Sequence, residues 1–193
     1  GVGGIELGLV AYDNRVERML DITPELDQFE SVVDDMKKRG STAIFSAVVE
    51  AVSMLEMRQK MMQSLDHENN KNPCAMRVLC LTDGQNNTGV TAQTALDHCL
   101  RVGVVVDAII VGDTPDPSLL KVATATGGDC FQINSLGDGF ELLENDAVAS
   151  LWARHDGLAM PQRRPSSAPR VLLSDVNATV PSKVGGGGKG GGP

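Results

Sequence analysis

Two short polar loops of the sequence carry side chains that could bind a cation. Residues 39–44 (RGSTAI) place the hydroxyls of Ser41 and Thr42 directly before a long segment with an apolar stripe. Residues 81–87 (LTDGQNN) place the carboxylate of Asp83 directly after a strand-like run. Hydroxyl and carboxylate oxygens suit Mg²⁺, a hard cation that prefers oxygen ligands and retains waters. Taken singly, the first loop is better explained as a helix cap and the second as a turn. Whether they form a cation site must therefore be judged from their order and from the segments around them.

Other common patterns of catalytic and nucleotide-binding sites are missing from the sequence. No G-x-G-x-x-G follows a predicted strand, and neither G-x-x-x-x-G-K-[ST] nor G-x-S-x-G occurs. His67, His98 and His155 lie far apart in the sequence, with no recognisable triad partner. The four cysteines form no C-x-x-C pair, which is typical of small buried thiols in a reducing compartment, and we therefore expect a cytoplasmic protein.

The charge distribution separates an acidic body from a basic tail. The 193 residues carry 17 Lys and Arg against 25 Asp and Glu, a net charge of −8. Residues 1–152 hold 11 basic and 23 acidic side chains, whereas residues 153–193 hold 6 basic and 2 acidic ones. Because an acidic body repels phosphate backbones and aromatic residues make up only 3%, nucleic acid is not an expected partner. No apolar run reaches the roughly 18 residues that a membrane span needs.

Strands alternate with helices along the body of the chain. Residues 5–11 and 15–22 are predicted to be strands that pair antiparallel through a polar turn at residues 12–15. Apolar residues at helical spacing predict a long helix over residues 43–64. The remaining pattern predicts three more strands, over residues 76–81, 104–111 and 130–133. It also predicts four more helices: one that begins at residues 23–25, one over residues 91–102, one that begins at Pro115 or Pro117, and one over residues 140–152.

This alternation implies an α/β fold with a mostly parallel sheet and right-handed crossovers. The continuous apolar character of residues 104–111 agrees, because a strand buried on both faces need not alternate. Residues 153–193 hold five of the nine prolines and end in a glycine-rich run. We therefore expect one domain over residues 1–152, followed by a flexible tail over residues 153–193.

In this order and spacing, four segments closely resemble the von Willebrand factor A domain family: GSTAIFSAV, RVLCLTDGQNN, GVVVDAIIVGD and LKVATATGGDCFQI. The resemblance runs from about residue 3 to residue 151. It implies a Rossmann-like three-layer fold, with a mostly parallel central sheet and one antiparallel edge strand. It also implies a non-enzymatic protein–protein interaction module, whose metal-ion-dependent adhesion site binds Mg²⁺ or Mn²⁺ together with a carboxylate of a partner protein.

In that family three loops hold the cation, and this sequence matches two of them. By similarity Thr42, with Ser41 beside it, corresponds to the second loop, and Asp83 corresponds to the third. The first loop, Asp-x-Ser-x-Ser, follows a central strand that is missing here, so we expect a fragment whose metal affinity is weak or absent. Without that strand the hairpin of residues 5–22 should separate from the rest of the sheet, leaving two inner edges unpaired.

Three alternatives stay open at this point. Residues 170–174 (RVLLS) lead into Asp175, Asn177 and Thr179, which have the spacing of the missing loop and could substitute for it. The competing interpretation is a tail segment with no fixed partner. The site could also be vestigial, in a structural subunit that binds through its helical faces. A Rossmann-like enzyme that uses Asp83 as a metal or acid–base carboxylate is supported only by analogy of fold.

Overall fold

The computed structural model describes residues 5–25, 27–28, 42–65, 75–112 and 114–133. The predicted strands and helices in these ranges agree with the observed bounds within two residues. The predicted helix over 140–152, most of the one that begins at 23–25, and the boundary at residue 152 lie outside the described residues. In chain order the elements are β1 (Leu7–Tyr12), β2 (Val16–Thr23), α1 (Ile44–Leu65), β3 (Arg77–Thr82), α2 (Ala92–Val102), β4 (Val105–Val111), α3 (Pro117–Ala125) and β5 (Cys130–Ile133).

The described strands form two separate sheets, as expected. In the first, β1 pairs antiparallel with β2, and in the second β3, β4 and β5 are parallel in that order. The hairpin turn is one residue shorter than predicted. Tyr12 is the last residue of β1, where it pairs with Val16 and packs against the core, and the turn is closed by a 2.7 Å hydrogen bond from the Arg15 N–H to the Asp13 carboxylate.

All three described helices contribute to one core on one face of the parallel sheet. α1 also packs against β1 and β2, so this helix spans both sheets. β4 is the central strand and is buried on both faces up to its last residue, which explains why all its residues except Asp107 are apolar. The core is formed by apolar side chains of α1, α2, α3 and the parallel strands, among them Ile44, Val48, Val52, Val78, Cys80, Cys99, Val106, Ile110, Leu119 and Leu120.

The opposite face of the parallel sheet carries a smaller cluster of Ile109, Phe131 and Ile133, each of them buried. Two predicted helices, the one that begins at residues 23–25 and the one over residues 140–152, lie mostly or entirely outside the described residues. The described part of the chain thus shows one helical layer and the sheet of the expected three-layer arrangement.

A buried ion pair joins the strands near the amino end of the parallel sheet. The Arg77 guanidinium donates to the carboxylate of Asp107, which is fully buried in β4. The other oxygen of Asp107 accepts the Asp129 N–H at 2.7 Å. A buried carboxylate is tolerated only when it is paired and hydrogen-bonded, and these contacts meet that need. They also connect β3, β4 and the turn before β5.

The hairpin is attached to α1 by ion pairs nearer the surface. Arg58 on α1 donates to both oxygens of Glu6, at 2.7 and 2.8 Å, and each of these side chains is 27% exposed. Arg18 on β2 donates to Glu50 on α1 at 2.5 and 2.9 Å. The hydrogen bond and charge of Arg58 lower the pKa of Glu6 below its ordinary value.

A second carboxylate on α1 connects this helix to α2. Glu56 accepts hydrogen bonds from Lys60 at 2.7 Å and from Arg101 at 3.1 Å. These bonds lower the pKa of Glu56 to about 2. None of the helices in the described ranges is long and apolar enough to cross a membrane.

Candidate functional site

The two loops predicted to bind a cation meet at one end of the sheet, called the carboxyl rim below. This rim is the end at which the parallel strands β3 and β4 finish, and where ligands bind in open α/β sheets. β1 ends at the same rim, because the Tyr12 hydroxyl at its last residue contacts Leu81 near the end of β3. Glu6, just before β1, lies instead against Arg58 in the second half of α1. β1 therefore runs parallel to β3.

Hydrogen bonds hold the β3–α2 loop to the start of α1. The Thr42 N–H donates to the Asn87 side chain at 3.2 Å, and the Asn87 N–H donates back to the Thr42 carbonyl at 3.1 Å. The neighbouring Asn86 side chain accepts the Phe45 N–H at 3.4 Å. These asparagines supply acceptors to N–H groups that the first turn of a helix cannot satisfy internally. The hairpin turn joins the same rim, since the Asp13 carbonyl accepts the Ala43 N–H at 2.8 Å.

The hydroxyl of Thr42 lies against the backbone next to Asp83. A Cβ atom placed on Gly84 would be 3.9 Å from Thr42 Oγ1. Asp83 is exposed, and its charge acts on Tyr12 at the end of β1. Thr42 and Asp83 thus belong to adjoining loops on the same rim.

The far end of the same loop approaches α1 closely at Gly89. Ser46 on α1 accepts the Val90 N–H at 3.0 Å through its hydroxyl. Gly89 has φ of +88°, and any side chain at that position would collide with the Ser46 hydroxyl. The left-handed conformation and the close approach both require glycine here.

A buried carboxylate holds the loop from the other side. Asp116 caps α3 by accepting the N–H groups of Ser118 at 2.8 Å and Leu119 at 3.0 Å. Its second oxygen accepts the Asn86 N–H at 2.7 Å. Three backbone donors occupy this carboxylate, so Asp116 acts as a support of the rim and not as a cation ligand.

Tyr12 connects the hairpin to β3 beneath this loop. Its hydroxyl donates to the Leu81 carbonyl at 2.5 Å and lies 3.9 Å from Cys80 Sγ. Burial raises the pKa of Tyr12, and the nearby Cys80 and Asp83 raise it further, so the phenol stays a neutral donor. Burial also raises the pKa of Cys80 to about 11, which keeps this thiol protonated and unreactive at neutral pH.

The structure brings the loops of Thr42 and Asp83 together. Ser41, Asp175, Asn177 and Thr179 lie outside the described residues. Within the described ranges, no group of three or more His, Cys, Asp or Glu side chains is placed to hold a metal ion. A hydroxyl and a carboxylate are the donors that Mg²⁺ or Mn²⁺ prefers, although two donors make an incomplete set. Sequence reasoning missed Asn86, Asn87, Asp116 and Tyr12, of which only the Asn-Asn pair directly after Asp83-Gly84-Gln85 carried a local signal.

Solved structures with the same arrangement of strands and helices show which fold this is. A von Willebrand factor type A protein from Catenulispora acidiphila superposes with a TM-score of 0.59 at 17% identity, covering 76% of this chain and 35% of that one. The fold is of the von Willebrand factor A type. BatB from Bacteroides thetaiotaomicron has a TM-score of 0.56 at 14% identity, over 76% of this chain and 79% of that protein.

A third protein with the von Willebrand factor A fold is known with a metal. Proximal thread matrix protein 1 from the mussel byssus, solved with a zinc-occupied MIDAS motif, has a TM-score of 0.53 at 21% identity, over 75% of this chain and 36% of that one. No protein-family model matches the sequence. Among curated proteins, a probable bifunctional E2/E3 enzyme, R795, of Acanthamoeba polyphaga mimivirus is 20% identical over 146 residues. This chain matches over 75% of its own length and spans 11% of that relative.

Proposed function

We propose that this chain is a non-enzymatic protein–protein interaction module that binds its partner at the carboxyl rim. Thr42 and Asp83 would hold a divalent cation there, Mg²⁺ or Mn²⁺, in a partial metal-ion-dependent adhesion site. The observation that carries the proposal is the pair of hydrogen bonds between Thr42 and Asn87, which hold the two ligand-bearing loops side by side. The zinc-occupied MIDAS motif of the mussel protein, which has a similar fold, supports a metal-binding role.

A cation held by so few protein ligands would keep open positions for a carboxylate of the partner. Thr42 offers a neutral hydroxyl and Asp83 a single negative charge, so the protein alone displaces little water from Mg²⁺. Binding of the metal should therefore be weak in isolation and become stronger when an added carboxylate completes the shell. That dependence would make the cation a bridge between two proteins.

Two further observations support binding over catalysis. The thiol nearest the rim, Cys80, is buried with a raised pKa, and the Asp116 carboxylate is occupied by three backbone donors. The similarity to one segment of a much longer probable E2/E3 enzyme suits a binding module carried within a larger protein. In the competing case of a vestigial site, partner binding would be independent of Asp83.

The proposal is tested by calorimetric titration of the chain with Mn²⁺, with and without acetate as a carboxylate probe. We expect a dissociation constant of about 10⁻³ M or weaker, at the weak end of protein sites for hard cations. Asp83→Asn should abolish the binding heat. The matched control is Asp97→Asn, which changes an exposed carboxylate on α2 that is bonded to Gln93 and should leave the titration unchanged.

Two results would contradict the proposal. Identical Mn²⁺ titrations for the unaltered chain and for Asp83→Asn would show that the carboxylate has no part in cation binding. Tight binding without acetate would show that the site is complete without a partner carboxylate.

A further inference from the structure

The first observation concerns the outer edge of β3. The Val105 N–H is bonded to the Met76 carbonyl at 3.1 Å, and the register pairs Val78 with Val106. In a parallel ladder alternate residues face the same neighbour, so the peptide groups of Val78 and Cys80 face β4. Those of Leu79 and Leu81 face the opposite side. On that side the described part of the chain shows one hydrogen bond, from the Tyr12 hydroxyl to Leu81.

The second observation is the spacing between the two sheets. Paired strands lie about 4.8 Å apart, with no side chain between their backbones. At the carboxyl rim the whole side chain of Tyr12 reaches from β1 to the β3 backbone, so these two strands are too far apart to pair directly. α1 packs against both of them. The space between β1 and β3, called the interstrand slot below, is therefore flanked by two strands that run in the same direction.

The third observation is that apolar side chains border this slot without being covered. Leu79 and Leu81 on β3 are 46% and 57% exposed, and Ile5 just before β1 is 68% exposed. An open strand edge beside exposed apolar groups is a site that pairs readily with another strand. The slot therefore has the backbone groups and the apolar border that a buried strand requires.

We propose that residues 170–174 of this same chain (RVLLS) fill the interstrand slot as a strand parallel to β1 and β3. Val171, Leu172 and Leu173 form a continuous apolar run, which suits a strand covered on both faces. In the parallel direction the segment finishes at the carboxyl rim. Asp175 would then emerge between the hairpin turn and the loop of Asp83.

The chain length between β5 and this segment permits the placement. β5 ends at Ile133 on the carboxyl rim, and 36 residues separate it from Arg170. The predicted helix over residues 140–152 would return the chain by about 20 Å to the amino end of the sheet. Residues 153–169 can then span up to about 55 Å when extended. The path from β5 past β4 and β3 to the slot needs only about 14 Å.

One consequence rests on the proposed function. With the segment in the slot, Asp175 would add a second carboxylate beside Thr42 and Asp83, which strengthens the incomplete site but leaves positions open for a partner carboxylate. Filling of the slot requires no metal, so the placement of residues 170–174 and the proposed cation site can each be wrong without the other.

The test is amide hydrogen exchange of the full chain followed by NMR, in metal-free buffer. The amides of Leu79 and Leu81 face the slot, whereas those of Val78 and Cys80 face β4 and serve as internal controls. A filled slot predicts that Leu79 and Leu81 exchange within about tenfold of Val78 and Cys80. Exchange of Leu79 and Leu81 at the rate of an unprotected amide would overturn the proposal.

Two full-chain variants then identify the segment in the slot. Leu172→Asp should speed exchange of the Leu79 and Leu81 amides by about tenfold or more, with Val78 and Cys80 unchanged. The matched control, Leu158→Asp, places the same charge elsewhere in the tail and should change none of the four. If the aspartate prevents folding, the milder Leu172→Ser tests the same side chain.

Two results would overturn the placement in this chain, and a third would overturn only its consequence for the metal. Protection that survives both substitutions at Leu172 would mean that another segment occupies the slot. Protection that is lost on dilution would mean that a second copy of the chain supplies the strand. If Asp175→Asn leaves the Mn²⁺ affinity unchanged, Asp175 is not a cation ligand, and the placement of residues 170–174 is unaffected. The proposed function is tested separately, by the calorimetry of Asp83→Asn.

Discussion

The parallel half of the molecule, β3 to β5 with its helices, is held together differently from the β1–β2 hairpin. The parallel half has a core of fully buried side chains and a buried ion pair between neighbouring strands. Every described residue of the hairpin strands keeps part of its surface exposed, and its polar attachments are surface ion pairs and one tyrosine hydroxyl. A two-stranded sheet is at best marginally stable by itself and depends on packing against another element, which α1 supplies here. Most of the stability should therefore come from the parallel half.

The largest effect should follow from breaking the buried ion pair. Asp107→Ala leaves the Arg77 guanidinium without its buried partner and the Asp129 N–H without its acceptor. We expect a loss of about 3–5 kcal/mol in the free energy of unfolding, measured by urea denaturation. Asp97→Ala, at an exposed carboxylate, should change it by no more than about 0.5 kcal/mol. Equal losses in the two variants would mean that the buried ion pair contributes no more stability than an exposed carboxylate.

A smaller and more local effect should follow from loosening the hairpin. Tyr12→Phe keeps the ring but removes the donor to the Leu81 carbonyl. The expected loss is about 0.5–1.5 kcal/mol, the net value of a typical hydrogen bond. Amide exchange should accelerate in β1 and β2 and not in β4. Ser53→Ala removes a hydroxyl whose bond stays within α1, and it should leave hairpin exchange unaltered. Uniform acceleration across both sheets in Tyr12→Phe would contradict a separate hairpin.

Acid should affect the hairpin through Glu6, with the smallest effect of the three. Its pKa is lowered in the folded protein, so the stabilisation by Arg58 is present above about pH 4.5 and is lost as the pH falls through the folded pKa. A partly exposed pair of this kind contributes about 0.2–1 kcal/mol. Glu6→Gln should speed hairpin exchange at pH 7 and flatten its dependence on pH below 4.5. The matched control, Glu56→Gln, should affect α2, to which Glu56 is bonded through Arg101, and leave the hairpin unchanged.

Much of the fold could be predicted because local patterns determine it. The mostly apolar sequence of β4 and a proline at the start of α3 can be recognised without tertiary information, although the sequence left Pro115 and Pro117 as alternatives. The partner of Asp107 could not be predicted in the same way. Arg77 lies 30 residues away, and only the parallel register brings the two side chains together. Tyr12 was placed in the turn because its polar neighbours obscured its role at the end of β1.

The candidate site was predictable in part. The resemblance indicated Thr42 and Asp83, and the structure places their loops together on one rim. It could not indicate that Asn86 and Asn87 provide the bonds between these loops, because helix capping by a distant loop leaves no local spacing pattern. The remaining candidates, Ser41 and residues 175–179, lie outside the described residues and stay predictions.

The asparagine bonds at the rim differ from the ion pairs of the hairpin in their response to acid. An amide side chain has no proton to gain between pH 2 and 10, so the bonds from Asn86 and Asn87 to the start of α1 keep their strength where Glu6 becomes neutral. The loop that carries Asp83 should therefore keep its position relative to Thr42 in mildly acidic solution. A loss of cation binding under such conditions would therefore not be caused by the breaking of these asparagine bonds.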